Sequence, residues 1–193
     1  MVSKMAKQAK VLTDADVKRI LGVAAQDRHA ARNRCVFMIS MLAGLRAIEV
    51  ANLNVGSVVG SDGCVANRIA FTKNQTKGKM SRSVPISKRL AKELTVYLGT
   101  LPRTAPDAPL FTSQKGGAFT AHGIVVLLQR LYQTAGVDGA SSHSGRRTFA
   151  TNLAERGVGV FVLKELLGHA NIQTTSVYVD AGEHQQRSAV DLL

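Results

Sequence analysis

Residues Ser142 to Tyr178 read SHSGRRTFATNLAERGVGVFVLKELLGHANIQTTSVY. Apolar residues recur in this stretch at helical spacing, which predicts helices over Ser144 to Arg156, Val160 to Leu167 and Thr174 to Val179. His143 and Arg146 stand three positions apart at the start of the first of these. They share a helix face and can converge on one anion, at a helix end that already favours negative charge. Gly168 can end the second helix in a left-handed conformation and turn the His169 imidazole back toward that point. Tyr178 follows His169 by nine positions. Thr148, Phe149 and Ala150 read as packing residues.

Outward from this block the chain alternates helical and extended patterns. Thr13 and Asp16 form a capping-box pattern ahead of Val17, Ile20, Leu21 and Ala24. A second helix is expected from His29 to Ala43, with Val36, Phe37, Ile39 and Met41 or Leu42 inward, ended by Gly44. Then comes GLRAIEV, Gly44 to Val50, with a short helix expected from Arg46 to Leu53. Glu49 lies on the face of Arg46 and reads as an orienting partner or cap. Between Ser57 and Ser87 the period shortens. Val58-Val59, Val65 to Phe71 and Ser81 to Ile86 read as three short antiparallel strands, the last two joined by the polar loop KNQTKGKM. Further helices are expected over Lys88 to Leu98 and Ala121 to Ala135, with an extended connection at Pro102, Pro106 and Pro109. Tyr97 and Tyr132 read as core or groove-edge residues. The fold class is α+β, mainly helical.

Composition bounds the function classes. The chain has 193 residues, a formal charge of +12 and 45% hydrophobic residues. That is enough for one domain with a real core, and the charge points to a polyanionic partner. Residues 1–12 read as a flexible basic segment and 13–193 as the domain. No apolar run approaches the ~20 residues of a membrane span, and no signal-peptide core is seen, so a cytoplasmic protein with no membrane partner is expected. Cys35 and Cys64 lack metal-ligand spacing and read as free thiols.

Gly-Leu-Arg with Glu49, then His-x-x-Arg at His143 and Arg146, then Leu-Gly-His at 167–169 and a tyrosine nine residues on, resemble the tyrosine recombinases, or phage integrase family, in order and over most of the chain. The resemblance implies the catalytic-domain fold of that family with its small three-stranded sheet. It implies a site-specific recombinase that cleaves and rejoins double-stranded DNA, for integration, excision or inversion, through a 3′-phosphotyrosyl intermediate on Tyr178. Arg46, Arg146 and His169 would stabilise the phosphorane, His143 would assist proton movement at Tyr178, and a lysine would protonate the leaving 5′-oxygen. In TKGKMSRSVPIS, alignment on Arg82 and Val84-Pro85 favours Lys77 for that lysine, with Lys79 and Lys73 as competitors. Lys73, Lys79 and Arg147 are expected at the DNA, with Arg82 there as a phosphate contact or else structural. Arg147 stands where the family often has histidine or lysine; it keeps the charge but cannot act as a base.

The chemistry suits these residue types. A tyrosine hydroxyl has a free pKa of ~10 and needs help to attack. Planar guanidinium forks hold non-bridging oxygens and supply the field that a metal supplies elsewhere, so no metal or cofactor is expected. The family implies a homo-tetramer on synapsed DNA and a monomer or weak oligomer without it. The usual N-terminal DNA-clamping domain has no counterpart in residues 1–12. The sequence therefore reads as a catalytic-domain-only recombinase, resembling the small enzymes of fimbrial phase variation, or as an excised catalytic fragment. A type IB topoisomerase-like activity and a non-catalytic DNA-binding protein stand as alternatives.

Overall fold

The helix α2 (Ala30–Ala43) is enclosed by the rest of the protein: Cys35, Val36, Phe37, Met38 and Ile39 are all at most 1% exposed. Five consecutive buried positions leave no solvent face, the pattern of a central helix rather than an amphipathic one. In this computed structural model, which describes residues 8–72, 82–102, 105–114, 116–179 and 190, α2 packs against α1 (Asp14–Ala25), α4 (Lys88–Leu98) and α6 (Ser144–Glu155). Two further helices, α3 (Ala47–Ala51) and α5 (Ala121–Thr134), pack on each other, and α7 (Val160–Leu167) links α6 to the short α8 (Gln173–Ser176).

Local chemistry sets most of these ends. The Thr13 hydroxyl accepts from Asp16 N, and Asp16 Oδ2 accepts from Thr13 N, so two of the orphan amides of α1 are satisfied. Ser87 and Thr120 cap α4 and α5 in the same way, accepting from Leu90 N and Gly123 N. Gly44 ends α2 at φ +61°, a conformation that L-residues avoid. Phe149 lies against it so closely that a Cβ would stand 2.5 Å from the ring.

Residues 8–12 belong to the segment expected to be flexible, yet they are seated on the domain. Lys10 N donates to Gly139 O, Leu12 N donates to the Thr148 hydroxyl at 2.8 Å, and Leu12 is buried. Thr148, itself buried, passes the bond on to Ser144 O.

The sheet among the described residues has two strands, not three. Strand β1 (Arg68–Phe71) pairs antiparallel with β2 (Arg82–Pro85), Phe71 opposite Arg82. Val58-Val59 forms no strand, because Val55–Ser57 takes a 3-10 turn capped by Asn54, and the chain turns again at Gly60, whose N–H donates to Cys64 O. Two residues are left between the two turns, and their pairing goes no further than one bridge, Val59 to Val65, with Val58 O accepting from Ala66 N. The proline-rich connection lies alongside residues 53–56: Val55 N donates to Ala108 O, Gly56 N to Pro106 O and Leu110 N to Leu53 O. Tyr97 and Tyr132 are core residues, the first donating to Leu110 O and stacking on Phe111, the second edge-on to Phe37.

Candidate active site

The C-terminal end of α7 organises the basic residues. A helix leaves its last carbonyls without intrahelical donors and carries partial negative charge there. Three consecutive carbonyls at this end accept from three different arginines. Arg82 Nη1 donates to Leu166 O at 3.0 Å, Arg146 Nη2 to Leu167 O at 2.7 Å and Arg46 Nη2 to Gly168 O at 3.2 Å. Gly168 is left-handed, φ +60°, and faces the Arg82 guanidinium, where a Cβ would stand 2.5 Å from Nη1.

Each arginine is delivered by a different local device. Arg46 is the N-cap of α3, and Glu49 closes a box on it: Glu49 Oε2 accepts from Arg46 N at 2.8 Å and Oε1 from Nη1 at 3.2 Å. Arg146 reaches the centre because Gly145 lets α6 approach α2. A Cβ there would lie 2.9 Å from Ser40 Cβ and 3.2 Å from its backbone carbonyl carbon. Arg146 Nη1 then donates to Gly44 O at 2.6 Å. Arg82 projects inward from β2 to Glu49 Oε2 at 2.8 Å and lies over the Phe71 ring. Of the two readings that the sequence left open for Arg82, phosphate contact or structural residue, these internal contacts are of the structural kind.

The electrostatics are one-sided. Glu49 is fully buried and is the carboxylate paired with both Arg46 and Arg82. Burial first, then the nearby Arg46, pushes the Arg146 guanidinium down to about 10, against the pull of Glu49; it remains a cation at neutral pH. Burial and the Arg146, Arg46 and Arg82 guanidiniums push His169 down to about 4, so the ring is neutral at pH 7. His169 stands between Arg146 Nη2, 2.9 Å from its Nε2, and the Thr175 hydroxyl, 2.8 Å from its Nδ1.

These groups face one open cavity of about 500 Å³. Arg46, His143, Arg146, Arg147, His169 and Tyr178 all line it, with Ser141, Thr174 and Val177, and with Gln8 and Ala9 from the seated N-terminal segment. No carboxylate lines it among the described residues. His143 is the exposed N-cap of α6. Tyr178 follows α8, which ends at Ser176 rather than Val179, and its N–H donates to Thr175 O. The half-buried Tyr178 therefore lines the same open space as three guanidinium and two imidazole groups. Lys73, Lys77 and Lys79 lie outside the described residues. No group of His, Cys, Asp and Glu among the described residues is placed to hold a metal ion, and no described helix is long and apolar enough to cross a membrane.

The sequence reading did not single out Thr175, Gly145 or Ser40. The pattern of Gly145 in SHSGRR offered a hint, since a glycine within the first turn of a helix gives up propensity relative to alanine and asks for a packing reason. Nothing in the sequence marked Ser40 or Thr175.

Residues 10–185 match the phage integrase family model. The tyrosine recombinase XerA of Thermococcus kodakarensis is 34% identical over 183 residues, covering 93% of this chain and 61% of that protein. The chain thus spans about three fifths of the length of such relatives. The catalytic domain of bacteriophage HP1 integrase superposes with a TM-score of 0.69 at 26% identity, covering 95% of each chain. The site-specific recombinase XerH, in its pre-cleavage complex with difH substrate, shares the fold at a TM-score of 0.72 and 24% identity, over 97% of this chain and 55% of that one.

Proposed function

This chain belongs to the phage integrase family, and from that premise we propose that it is a site-specific tyrosine recombinase acting on double-stranded DNA inside the cell. The observation that carries the reading is the single cavity shared by Arg46, His143, Arg146, His169 and Tyr178, which come from three separate stretches of the chain.

A phosphodiester in this cavity meets two guanidiniums already fixed by the carbonyls of one helix end, so little reorganisation accompanies charge development on the phosphorane. Tyr178 Oη attacks phosphorus while its proton passes to His143. The bond to the 5′-oxygen breaks, and Lys77 gives that oxygen a proton. The product is a 3′-phosphotyrosyl link and a free 5′-hydroxyl, and attack by a 5′-hydroxyl from a partner strand reverses the step. Bond energy is conserved, so the exchange needs no nucleotide. Strand exchange between two duplexes calls for a homo-tetramer assembled on DNA.

Incubation with a nicked duplex, which loses its short leaving strand, traps the covalent protein–DNA adduct. The wild type gives the adduct and Tyr178→Phe binds DNA without forming it. A 3′-phosphotyrosyl adduct retained in Tyr178→Phe removes the assignment, and an inert wild type removes the enzyme reading. A 5′-bridging phosphorothioate leaves without a proton. It restores cleavage to Lys77→Ala and not to Arg146→Ala; rescue of Lys79→Ala instead moves the acid to Lys79.

A further inference from the structure

His169 is held by two partners of different kinds. A guanidinium has donors and no acceptor, so the Nε2 that faces Arg146 Nη2 at 2.9 Å must be the unprotonated nitrogen. The proton of the neutral ring therefore sits on Nδ1 and is donated to Thr175 Oγ1 at 2.8 Å. In this state the imidazole turns a lone pair, not an N–H, toward the guanidinium that lines the cavity. It cannot donate to a phosphate oxygen.

Of the two neighbours, only the hydroxyl can reverse direction, because it is both donor and acceptor and rotates about its C–O bond. Thr175 is fully buried. It sits on α8, and its carbonyl accepts from the Tyr178 amide. The same residue thus holds the imidazole through its side chain and the tyrosine through its backbone.

We propose that Thr175 is a positioning residue for His169, its hydroxyl accepting from Nδ1–H in the empty cavity and turning to donate to Nδ1 when a phosphodiester occupies it. Nε2 then carries the proton and donates to a non-bridging oxygen, while Arg146 Nη2 exchanges the imidazole for the same phosphate. The exchange balances: Nε2 takes one proton from solvent and Nδ1 releases one to solvent. The neutral ring is kept throughout, as expected for a group surrounded by Arg46, Arg82 and Arg146. This inference rests on the recombinase reading above for the nature of the occupant.

Three measurements test it on the full chain. Protein labelled with 15N-histidine reports the tautomer of His169 directly by nitrogen chemical shift: in the free wild type the expected form is neutral with Nδ1–H, and an Nε2–H tautomer overturns the assignment. In Tyr178→Phe bound to a duplex selected for binding, the expected form is neutral with Nε2–H; an unchanged ring or an imidazolium overturns the reversal. In trapped-adduct kinetics, Thr175→Val, which keeps shape and loses the hydroxyl, slows cleavage about tenfold, the scale of one hydrogen bond. Thr175→Ser stays within about threefold of the wild type, since the hydroxyl is retained. In a His169→Ala background Thr175→Val causes no further loss, which a merely structural role does not produce. An active wild type with an equally fast Thr175→Val variant sinks the Thr175 role alone; absence of adduct in the wild type sinks the recombinase reading instead.

Discussion

Glu49→Gln probes the charge balance on which the site is built. The carboxylate is fully buried and makes three close contacts: Arg46 N at 2.8 Å, Arg46 Nη1 at 3.2 Å and Arg82 Nη2 at 2.8 Å. Charge-assisted bonds are about twice as strong as neutral ones, so neutralising the acceptor weakens each contact by about 0.5–1 kcal/mol. One oxygen also becomes an NH₂ that must face a donor. The sum is about 2–3 kcal/mol, below the ~3–5 kcal/mol of deleting a buried partner outright, because the amide oxygen still accepts. For a domain of this size 1 kcal/mol moves the midpoint by about 2–4 °C, so Tm should fall by about 5–10 °C. Thermal melts followed by circular dichroism measure this. Added sulfate should recover more of the loss in Glu49→Gln than it adds to the wild type, because the variant leaves Arg46, Arg82 and Arg146 without their buried counter-charge. A midpoint within about 1 °C of the wild type, against the shift expected from the size scaling, refutes the reasoning.

Arg146→Lys replaces a fork bonded to Gly44 O, Leu167 O and the His169 ring with one point charge, and cleavage should fall ~100–1000-fold; near-normal adduct formation contradicts the role. His169 sits near 4 in the folded protein against 6.5 for a free histidine, so the unfolded chain takes up the proton first as pH falls. Its contribution to stability is complete above about 6.5 and is lost progressively toward about 4. His169→Gln should therefore show a shallower fall of Tm across that window than the wild type, and parallel curves count against the shift. Gly145→Ala should cost about 1–3 kcal/mol by overpacking α6 on α2, and Ser40→Gly should recover much of it in the double variant; a Gly145→Ala protein as stable as the wild type means the helices separate freely.

Helices and their ends were legible because their causes are local. The Thr13–Asp16 box, the left-handed Gly44 and Gly168, and the 3.6-residue period act within a few residues, and the expected helices lie within a few residues of the observed ones. The third strand was misread for a related reason. Val58-Val59 has strand-forming residues, but the capped turn at Val55–Ser57 and the turn at Gly60 consume the backbone around it, and strand propensity yields to context.

By itself the sequence determined the family pattern, the order of its motifs along the chain and the net positive charge. Only the tertiary structure decided how the arginines divide their work. Arg46 and Arg146 face the cavity while Arg82 turns inward to Glu49, and all three end on the carbonyls of residues 166–168. It also decided that Thr175 holds His169. These contacts join a β-strand and four helices that are separate elements of the chain. Which donor meets an orphan carbonyl, or which hydroxyl meets an imidazole, depends on how those elements pack and not on any pattern within one of them.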